Sequence, residues 1–539
     1  MKTRPTRRAM MAGAAAAGLG GGAFALSLPA PAAPVPGRLD GLDAATGHRL
    51  RSGDFPPPAR TVRTRIAIVG GGVSGLAAAR RLARAGLDDL LVLELEDEAG
   101  GNARGGRNAV SAYPWGAHYV PLPTDESTEV RRLFEELGVI TGYDAAGLPL
   151  YDELMLSADP QERLQIHGRW QEGLVPNIGA TADDRAQYAR FFAFVHGLSE
   201  RRGRDGRRPF AIPVDESSAD PAWRDLDRLT MKAWMEAEGY TSERLHWYVN
   251  YSCRDDFGTP HGETSAWAGL HYFAARSGRA GNAAAGSVLT WPEGNAWLTT
   301  RMAAPLGGRI RPRCLAWNIA AAEAGGLRLQ IFDAARDESF TVEAEAAILA
   351  VPRFIAARLW PAHGAEGFSY APWAVANITL GRLPGGTGEP LAWDNAIYRS
   401  AMLGYVVATH QDPRRHHDRT VITYYWPLSH LRPAAARAEA FGRDLAAWQA
   451  LFEAEILRNH PSLKGKLERI DIRLFGHAMV RPVPGFIWGP ARAAALVQTP
   501  PVFAAHADLG GMSIFEEAYT KGIAAAEAAL AFLGNGRPG

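Results

Sequence analysis

Cysteine and lysine are both scarce in this chain of 539 residues. Its two cysteines, Cys253 and Cys314, are too few for a disulfide scaffold. They also lack the spacing of a cysteine-rich metal centre, so we expect no metal site. The five lysines leave arginine to carry nearly all of the positive charge.

The chain also has little excess charge and no repeated long apolar runs. Lys and Arg total 58 against 57 Asp and Glu, which argues against a nucleic-acid partner, because phosphate binding usually needs a clustered positive excess. The shortage of long apolar runs excludes a multi-pass membrane protein. What remains is a globular chain, 47% hydrophobic, that is long enough for two or three structural units.

The first 35 residues have the order of a secretory signal. Arg7 and Arg8 precede an uncharged run of Ala, Gly and Leu over 12–28, and small residues follow. The arginine pair resembles a twin-arginine signal, so we expect 1–35 to engage the twin-arginine export machinery. The protein would then be periplasmic or otherwise exported, and membrane-anchored if the signal is not cleaved. Residues 36–60, which are rich in proline, are predicted to be a linker.

A dinucleotide fingerprint follows the predicted linker. A β-branched run over 65–69 leads into a glycine-rich turn, a helical pattern that stops at Gly86, and a second strand over 90–93 that delivers Glu94. The glycines permit a tight turn, close approach to a pyrophosphate and close helix packing, and the start of the helix offers free N–H groups to phosphates. Glu94 is placed to accept ribose hydroxyl groups. The predicted cofactor-binding residues of the turn are Gly70, Gly72, Val73, Ser74 and Gly75.

The next segments resemble the FAD enzymes of the amine oxidase and phytoene desaturase superfamily. Gly100-Gly101-Asn102-Ala103-Arg104 is similar to the Gly-Gly-Arg segment that follows the second strand in that family. Asn102 stands where the family usually has arginine, so either Arg104 takes over that role or the contact is lost. Trp115-Gly116-Ala117-His118-Tyr119 resembles the segment that runs past the flavin ring.

The C-terminal region resembles the family's terminal motif. Residues 502–518 are similar to a Phe-Ala-Gly-acid sequence that is followed by a helix. His506 stands at the most direct position of the acid, and Asp508 is the candidate acid after a shift of one or two residues. The resemblance also implies that Ser513 lies at the cofactor and that backbone near Ala316 contacts adenine.

The resemblance implies an α/β fold, with a Rossmann-type FAD-binding domain of the glutathione reductase-like kind and an interleaved α+β substrate domain. The FAD-binding domain is expected to be discontinuous, over 61–124, 286–365 and 471–535. The substrate domain is expected over 125–285 and 366–470.

The catalytic residues are less well defined. Many amine oxidases of the family hold a water at the flavin with a lysine, but this chain has no lysine between Lys232 and Lys464. Asn377 is the interior polar residue of the strand that should carry that lysine. His477 and His118, in segments expected beside the flavin, are the other catalytic candidates. Because neither cysteine lies in the terminal motif, we expect FAD to be bound non-covalently.

These features predict an exported FAD-dependent oxidoreductase that resembles amine oxidases. It would oxidise a C–N or C–C bond of a small or amphipathic organic substrate by hydride transfer to flavin, with oxygen or another molecule as electron acceptor. One alternative is a desaturase or isomerase that resembles phytoene desaturase. Another is a non-catalytic flavoprotein that serves as a binding partner in the cell envelope.

Overall fold

The computed structural model describes residues 35–535 except 42, 324, 413, 415 and 416. Almost the whole predicted signal, 1–34, lies outside the described residues. Among the helices within the described ranges, none is long and apolar enough to cross a membrane.

The strands fall into two large sheets and three short pairs. They are β1 (Leu39–Gly41), β2 (Pro58–Val69), β3 (Leu90–Leu93), β4 (Gly105–Arg107), β5 (Ala112–Pro114), β6 (Tyr119–Pro121), β7 (Ile140–Tyr143), β8 (Pro149–Tyr151), β9 (Glu162–Ile166), β10 (Arg169–Glu172), β11 (Val288–Thr290), β12 (Ile310–Arg311), β13 (Cys314–Ala321), β14 (Leu327–Asp333), β15 (Glu338–Leu349), β16 (Tyr370–Gly381), β17 (Asp394–Ile397), β18 (Gly404–Val407), β19 (Arg419–Pro427), β20 (Leu467–Val480) and β21 (Val502–Ala504).

Some of the helices pack on the faces of these sheets, and others form a separate helical lobe. They are α1 (Ala44–Ser52), α2 (Val73–Arg84), α3 (Thr128–Glu136), α4 (Ala182–Glu200), α5 (Pro221–Arg224), α6 (Met231–Ala237), α7 (Glu243–Phe257), α8 (Ala266–Ala274), α9 (Ala296–Ala303), α10 (Arg353–Leu359), α11 (Pro433–Phe441), α12 (Leu445–Asn459), α13 (Pro490–Leu496) and α14 (Phe515–Asn535).

The seven-stranded sheet has the doubly wound order that the sequence predicts. Its order is β12-β3-β2-β15-β14-β13, with β21 beside β15, and strands β12, β3, β2, β15 and β21 run parallel. The end of β2, Ile66–Val69, and the whole of β3 are buried apolar runs without alternation, as expected when helices cover both faces of a parallel sheet. The carboxyl ends of β2, β3, β15 and β21 meet at one edge. The α/β fold class with a Rossmann-type domain is therefore confirmed.

The eight-stranded sheet forms the second layer of the molecule, in the order β1-β20-β16-β19-β18-β17-β9-β10. Its central strand β16 is buried on both faces between β19 and β20. Strand β20 belongs to this sheet over its whole length, although residues 471–480 were predicted to lie in the FAD-binding domain. The reason is pairing: β20 runs antiparallel to β16 in continuous register over most of its length.

The prediction of a linker over 36–60 is wrong. Strand β1 pairs with β20, helix α1 follows, and β2 already begins at Pro58. Helix α1 begins because the Asp43 carboxylate accepts the Thr46 N–H, and it ends at Gly53, which is left-handed. Its Leu50 is buried against the seven-stranded sheet. These helix signals lie between proline-rich segments, and the prolines favoured the prediction of a linker.

Both cysteines are buried and unpaired. Cys253 lies in α7 and Cys314 begins β13, and they belong to different hydrophobic cores. Burial raises the pKa of the Cys314 thiol to about 11, so both side chains act as core residues.

Candidate functional site

The glycine turn after β2 tolerates no side chain at two positions. Gly70 has a φ of 101°, and a Cβ there would lie 2.4 Å from the Ala350 carbonyl oxygen. A Cβ on Gly75 would lie 1.9 Å from the Gly70 carbonyl oxygen. Glycine at 70 therefore permits the turn, and glycine at 75 lets α2 pack against it.

Together, α2 and the loop after β3 form a cradle of bare backbone. Gly72 caps α2 without a side chain, and a Cβ on Gly101 would lie 3.1 Å from the Gly72 Cα. Ser74 donates its hydroxyl to the Ala518 carbonyl at 2.7 Å, so its side chain ties α2 to α14. The backbone N–H groups of Val73 and Ser74, in the first turn of α2, have no partner within the helix. These features fit the pyrophosphate of a dinucleotide.

Glu94 stands at the end of β3, as the fingerprint predicts. It is buried, and its two carboxylate oxygens accept the N–H groups of Gly71 at 2.7 Å and Glu96 at 2.8 Å. Burial raises the pKa of Glu94, while the two backbone hydrogen bonds oppose that effect. Each oxygen keeps a lone pair that can accept a ribose hydroxyl.

The loop after Gly100 does not offer the cradle a free arginine. The Arg104 guanidinium binds Glu96 at 2.9 Å, Asp97 at 2.5 Å and Glu98 at 3.2 Å. The expectation that Arg104 replaces the missing arginine is therefore not met by its side chain. Asn102 donates its amide to the Ala478 carbonyl at 2.8 Å.

At the terminal motif, Asp508 is fully engaged within the protein. One oxygen accepts the Tyr370 hydroxyl at 2.6 Å and the Arg353 N–H at 2.8 Å, and the other lies 2.9 Å from His506 Nδ1. These partners keep the pKa of Asp508 below its usual value despite full burial. Asp508 therefore holds the loop, whereas His506 stays partly exposed.

Ala316 and Trp115 are buried structural residues. Ala316 is paired with Ile331 in β13 next to a bulge. Trp115 packs edge-on against Tyr113 and lies under the Arg473 guanidinium.

A cavity lies between the Gly116–Ala117 segment and the start of α14. Of the predicted residues, Asn102, Gly116, Ala117, His118 and Ser513 line it. Ser513 accepts the Val480 N–H at 2.9 Å. The structure thus brings the segment predicted to pass the flavin and the terminal motif to one space.

Aromatic rings form much of the cavity wall. His118 stacks on Tyr425 with ring centroids 4.5 Å apart, and the Tyr425 hydroxyl donates to the Gly116 carbonyl. Burial lowers the pKa of His118 to about 4, so the ring is neutral at pH 7. Trp373 and Phe475 complete this wall.

Sequence reasoning missed the carboxyl groups of the cavity. Asp255, Asp256 and Glu516 line it together with one cation, Arg276, which is paired with Asp256. Burial raises the pKa of both Asp255 and Glu516 to about 7. In the described part of the chain Asp255 makes no hydrogen bond or ion pair, although the charges of Arg276 and Arg254 act on it from farther away. The adjacent acids Asp255-Asp256 near the end of α7, a helix that also carries several aromatic residues, were the available signal.

Two further acids lie close to these carboxyl groups, in the eight-stranded sheet. Asp394 of β17 and Glu162 of β9 are register partners on adjacent parallel strands. Burial raises the pKa of Glu162 to about 7, and the pKa of Asp394 is raised by burial and by Asp255 and Glu162. The acids are thus close enough to suppress one another's ionisation.

Two buried polar atoms at the cavity have no partner among the described residues. They are Trp373 Nε1, a donor, and Asn295 Oδ1, an acceptor. Unsatisfied buried polar atoms are costly, so their presence here suits a site that a ligand completes.

Two predicted catalytic residues lie outside the cavity. Asn377 is buried, donates to the Pro114 carbonyl at 3.0 Å and accepts the Thr423 hydroxyl at 2.7 Å, so it ties β16 to β5 and β19. His477 faces away and packs on Phe354 with ring centroids 4.4 Å apart. These two catalytic predictions are corrected: the hydrogen bonds of Asn377 hold its side chain inside the sheet, and His477 lies at a register irregularity of β20, where its ring packs on Phe354.

Sequence comparison finds a family model and two curated relatives that match short segments. The model of an NAD(P)-binding Rossmann-like domain matches residues 68–137. Polyamine oxidase 1 of Zea mays is 54% identical over 43 residues, which is 8% of this chain and 9% of that protein. Polyamine oxidase 7 of Oryza sativa subsp. japonica is 42% identical over 62 residues, 12% of this chain and 13% of that protein. The matched segments span about a tenth of these curated relatives.

Solved structures match over most of the chain. Putrescine oxidase bound to putrescine has a TM-score of 0.59 at 17% identity, over 87% of this chain and 100% of that chain. Cyclohexylamine oxidase from Brevibacterium oxydans has a TM-score of 0.60 at 16% identity, over 87% and 99%. A CLA-producing fatty acid isomerase from P. acnes has a TM-score of 0.57 at 15% identity, over 87% and 98%. The chain therefore has the fold of these amine oxidases, built around a Rossmann-like dinucleotide-binding domain.

Proposed function

We propose that the chain is an FAD-dependent oxidoreductase that oxidises the C–N bond of a cationic amine. The observation that carries the proposal is the cavity, where acids and aromatic rings lie beside the segment expected to pass the flavin. The backbone cradle and Glu94 would hold the dinucleotide, and bound FAD would supply a two-electron acceptor.

The charge of the cavity selects a cation. Three carboxyl groups, Asp255, Asp256 and Glu516, face a single guanidinium, and that guanidinium is already paired with Asp256. A substrate ammonium would pair with Asp255, which lacks a partner in the described structure. Aromatic rings such as Trp373 and Tyr425 favour the same kind of ligand through cation–π contact.

Asp255 would also take the substrate's proton. A hydride leaves the carbon next to nitrogen only when the nitrogen lone pair is free, so an ammonium must first be deprotonated. A carboxylate whose pKa is about 7 is a better base than an ordinary aspartate at neutral pH. His118, with a pKa of about 4, remains neutral and provides shape rather than charge.

The alternative of a desaturase or isomerase acting on an apolar chain is less well supported. The likeness to a fatty acid isomerase is a likeness of fold alone. A fatty acid carboxylate would meet Asp255 and Glu516, groups of its own charge, in this cavity.

The test is a substrate panel on the flavin-loaded chain without oxygen, followed by the loss of the visible flavin absorption. Alkyl and aryl amines and diamines should bleach the flavin, whereas the matching alcohols and carboxylates should not. Asp255→Asn should lower kcat/KM about 100-fold, because it removes a buried charge partner. Asp89→Asn, on the exposed loop before β3, is the matched control and should leave kcat/KM unchanged. Bleaching by alcohols or carboxylates but not by amines would contradict the proposal.

We further propose that FAD is bound non-covalently and that residues 1–35 direct export by the twin-arginine route. Both cysteines are buried within hydrophobic cores, which supports non-covalent binding. Denaturation should release all of the flavin into the filtrate, whereas flavin retained on the chain would refute that part. A fusion of residues 1–35 to a folded reporter should be exported, and Arg7→Lys with Arg8→Lys should abolish this. Oxygen and other acceptors would be compared by the rate of flavin reoxidation.

A further inference from the structure

Two histidines make contact through their ring nitrogens: His246 of α7 and His261 of the loop that follows α7. The distance from His246 Nδ1 to His261 Nε2 is 3.2 Å. The other nitrogen of each ring has a partner of its own. His246 Nε2 lies 2.9 Å from the Tyr240 carbonyl oxygen, and His261 Nδ1 lies 3.0 Å from Asn250 Oδ1. The two rings, called the histidine pair below, are half-buried and do not line the cavity.

Each of the two outer contacts needs a proton on the histidine. The Tyr240 carbonyl oxygen can only accept, so His246 Nε2 donates. Asn250 Oδ1 also accepts the backbone N–H of His261 at 3.0 Å, so the oxygen of this amide, and not its nitrogen, faces the loop. His261 Nδ1 therefore donates to the same oxygen.

The contact between the two rings needs one more proton. Without it, His246 Nδ1 and His261 Nε2 would present lone pairs to each other, and with two protons they would present N–H groups to each other. Only a single proton between them makes the contact an N–H···N hydrogen bond. The three contacts thus hold three protons on two imidazole rings, and the histidine pair carries one positive charge.

The environment decides which ring holds the bridging proton. Burial, followed by the charges of His246 and Lys232, lowers the pKa of His261 to about 4. Above that pH His261 is therefore the neutral acceptor. The bridging proton then resides on His246 Nδ1, which donates it to His261 Nε2.

The other charged groups around the histidine pair have partners of their own. Lys232 of α6 lies next to the loop, since a Cβ on Gly262 would lie 4.0 Å from Lys232 Cδ, and its ammonium lies 3.6 Å from Glu236. Arg190 of α4 donates to the carbonyl of the residue before Tyr240 at 2.9 Å. The bridging proton is therefore left to the two histidines.

The loop that carries His261 borders the substrate cavity. It begins at Gly258, directly after α7, where a Cβ would lie 2.4 Å from Nε1 of Trp373 in the cavity wall. Near the other end of the loop, Glu263 pairs with Arg481, just beyond β20. The histidine pair ties the middle of this loop to α7, the helix that carries two of the cavity acids.

We propose that the histidine pair is a latch that one proton closes: it fastens the loop over 258–264 to α7 beside the cavity, and it releases the loop when the bridging proton is lost or a second proton is gained. The backbone also holds this loop, since the Lys232 N–H donates to the His261 carbonyl at 3.0 Å. The latch therefore controls how often the loop opens, and an opening uncovers Trp373 in the cavity wall. The latch needs no cofactor, whereas control of the access of an amine rests on the proposed function.

The proton count sets the pH at which the latch is strongest. In an open loop both histidines meet water, where histidine titrates at about pH 6.5. The closed pair holds one extra proton, so closing is most favourable where the open pair also holds about one, at roughly pH 6.5. At higher pH closing must take up a proton. At lower pH closing must release one, until His261 gains a proton in the closed state at about pH 4. Opening should therefore be rarest near pH 6.5 and become more frequent on both sides.

The test is hydrogen exchange of the purified full chain at pH 5, 6.5 and 8, measured by mass spectrometry on peptides from 258–264 and corrected for the intrinsic exchange rate. Protection should be greatest at pH 6.5 and at least about threefold lower at pH 5 and pH 8, because closing changes by up to about tenfold per pH unit. His246→Phe, which removes the ring nitrogens, should lose this maximum. His246→Gln, whose amide donates at every pH, should lose it too and serves if the phenylalanine variant does not fold.

The matched control is His196→Gln, which removes an exposed histidine of α4 that lies 3.9 Å from Glu200. It should keep the maximum of the wild type. Wild-type protection without a maximum near pH 6.5 would overturn the proposal, and so would the same maximum in the His246 variants. The exchange measurement uses neither flavin nor amine, whereas flavin bleaching by amines tests the proposed function, so a failure of one is distinguished from a failure of the other.

Discussion

The cavity and the dinucleotide cradle differ in how their charged groups are partnered. Beside the cradle, Arg104 is bound by Glu96, Asp97 and Glu98, and the Glu94 carboxylate accepts two backbone N–H groups. In the cavity, Asp255 has no ion pair or hydrogen bond among the described residues, and burial raises its pKa to about 7. The difference teaches that the charged groups of the cradle are satisfied within the protein, whereas the cavity keeps an acid available to a cationic ligand.

The largest effect is expected at the glycine turn of the cradle. Gly75→Ala should abolish flavin binding, because its Cβ would lie 1.9 Å from the Gly70 carbonyl oxygen and separate α2 from the turn. The measurement is the flavin content of the purified variant. Gly197→Ala in α4, where a Cβ meets nothing within 4 Å, is the control and should bind flavin normally. A yellow Gly75→Ala protein would break the assignment of the cradle.

The pH profile of the reaction tests whether the cavity acid Asp255 acts as the base. Because the pKa of Asp255 is about 7, kcat/KM for an amine should rise about tenfold per pH unit below pH 7 and then level. Asp255→Asn should lose this limb and leave a flat, low profile. The same rising limb in the variant would assign the base to another group.

Asn377 tests whether a buried polar residue of β16 takes part in catalysis or only holds the sheet together. Asn377→Ala should lower the free energy of unfolding by about 1–3 kcal/mol, because the Thr423 hydroxyl and Pro114 carbonyl lose their partner. Chemical denaturation measures this loss. KM and the flavin affinity of the folded variant should match the wild type. A selective loss of kcat without loss of stability would restore the catalytic role that the sequence suggested.

The smallest effect is the contribution of Asp255 to stability. Its pKa is about 7 in the folded chain against an ordinary value of 3.8, so the folded state binds more protons between these values. Stability from this group is therefore full below pH 4 and is lost as pH rises through 7. The Tm of Asp255→Asn relative to wild type should increase by a few degrees between pH 4 and pH 8. A difference in Tm that does not change with pH would show that Asp255 titrates normally.

Local sequence predicted the nucleotide half of the molecule well. The spacing from Gly70 to Gly75 and on to Glu94 predicts a strand, turn, helix and strand within 30 residues. Local sequence patterns are therefore enough to predict this part of the fold. Helix α1 was missed because its cap at Asp43 and stop at Gly53 lie between proline-rich segments. Its packing on Leu95 is a tertiary contact that the local sequence does not predict.

The substrate half depends on contacts between distant parts of the chain. Asp255 and Glu516 are far apart in sequence and meet only when α7 and α14 pack around one cavity. His477 and Met479 lie on one strand, yet Met479 lines the cavity and His477 packs on Phe354 outside it. A register irregularity in the pairing of β16 with β20 lies in this part of the sheet. Alternation along the sequence alone does not reveal which face each residue takes.

The most direct test of the central claim is anaerobic mixing of the flavin-loaded chain with putrescine, with butylamine and with butanol at pH 8. The account predicts that the amines bleach the visible flavin band, that butanol does not, and that Asp255→Asn slows the bleaching. A flavin that is equally inert to all three, although the chain retains FAD, would contradict the assignment of the acidic cavity as an amine site.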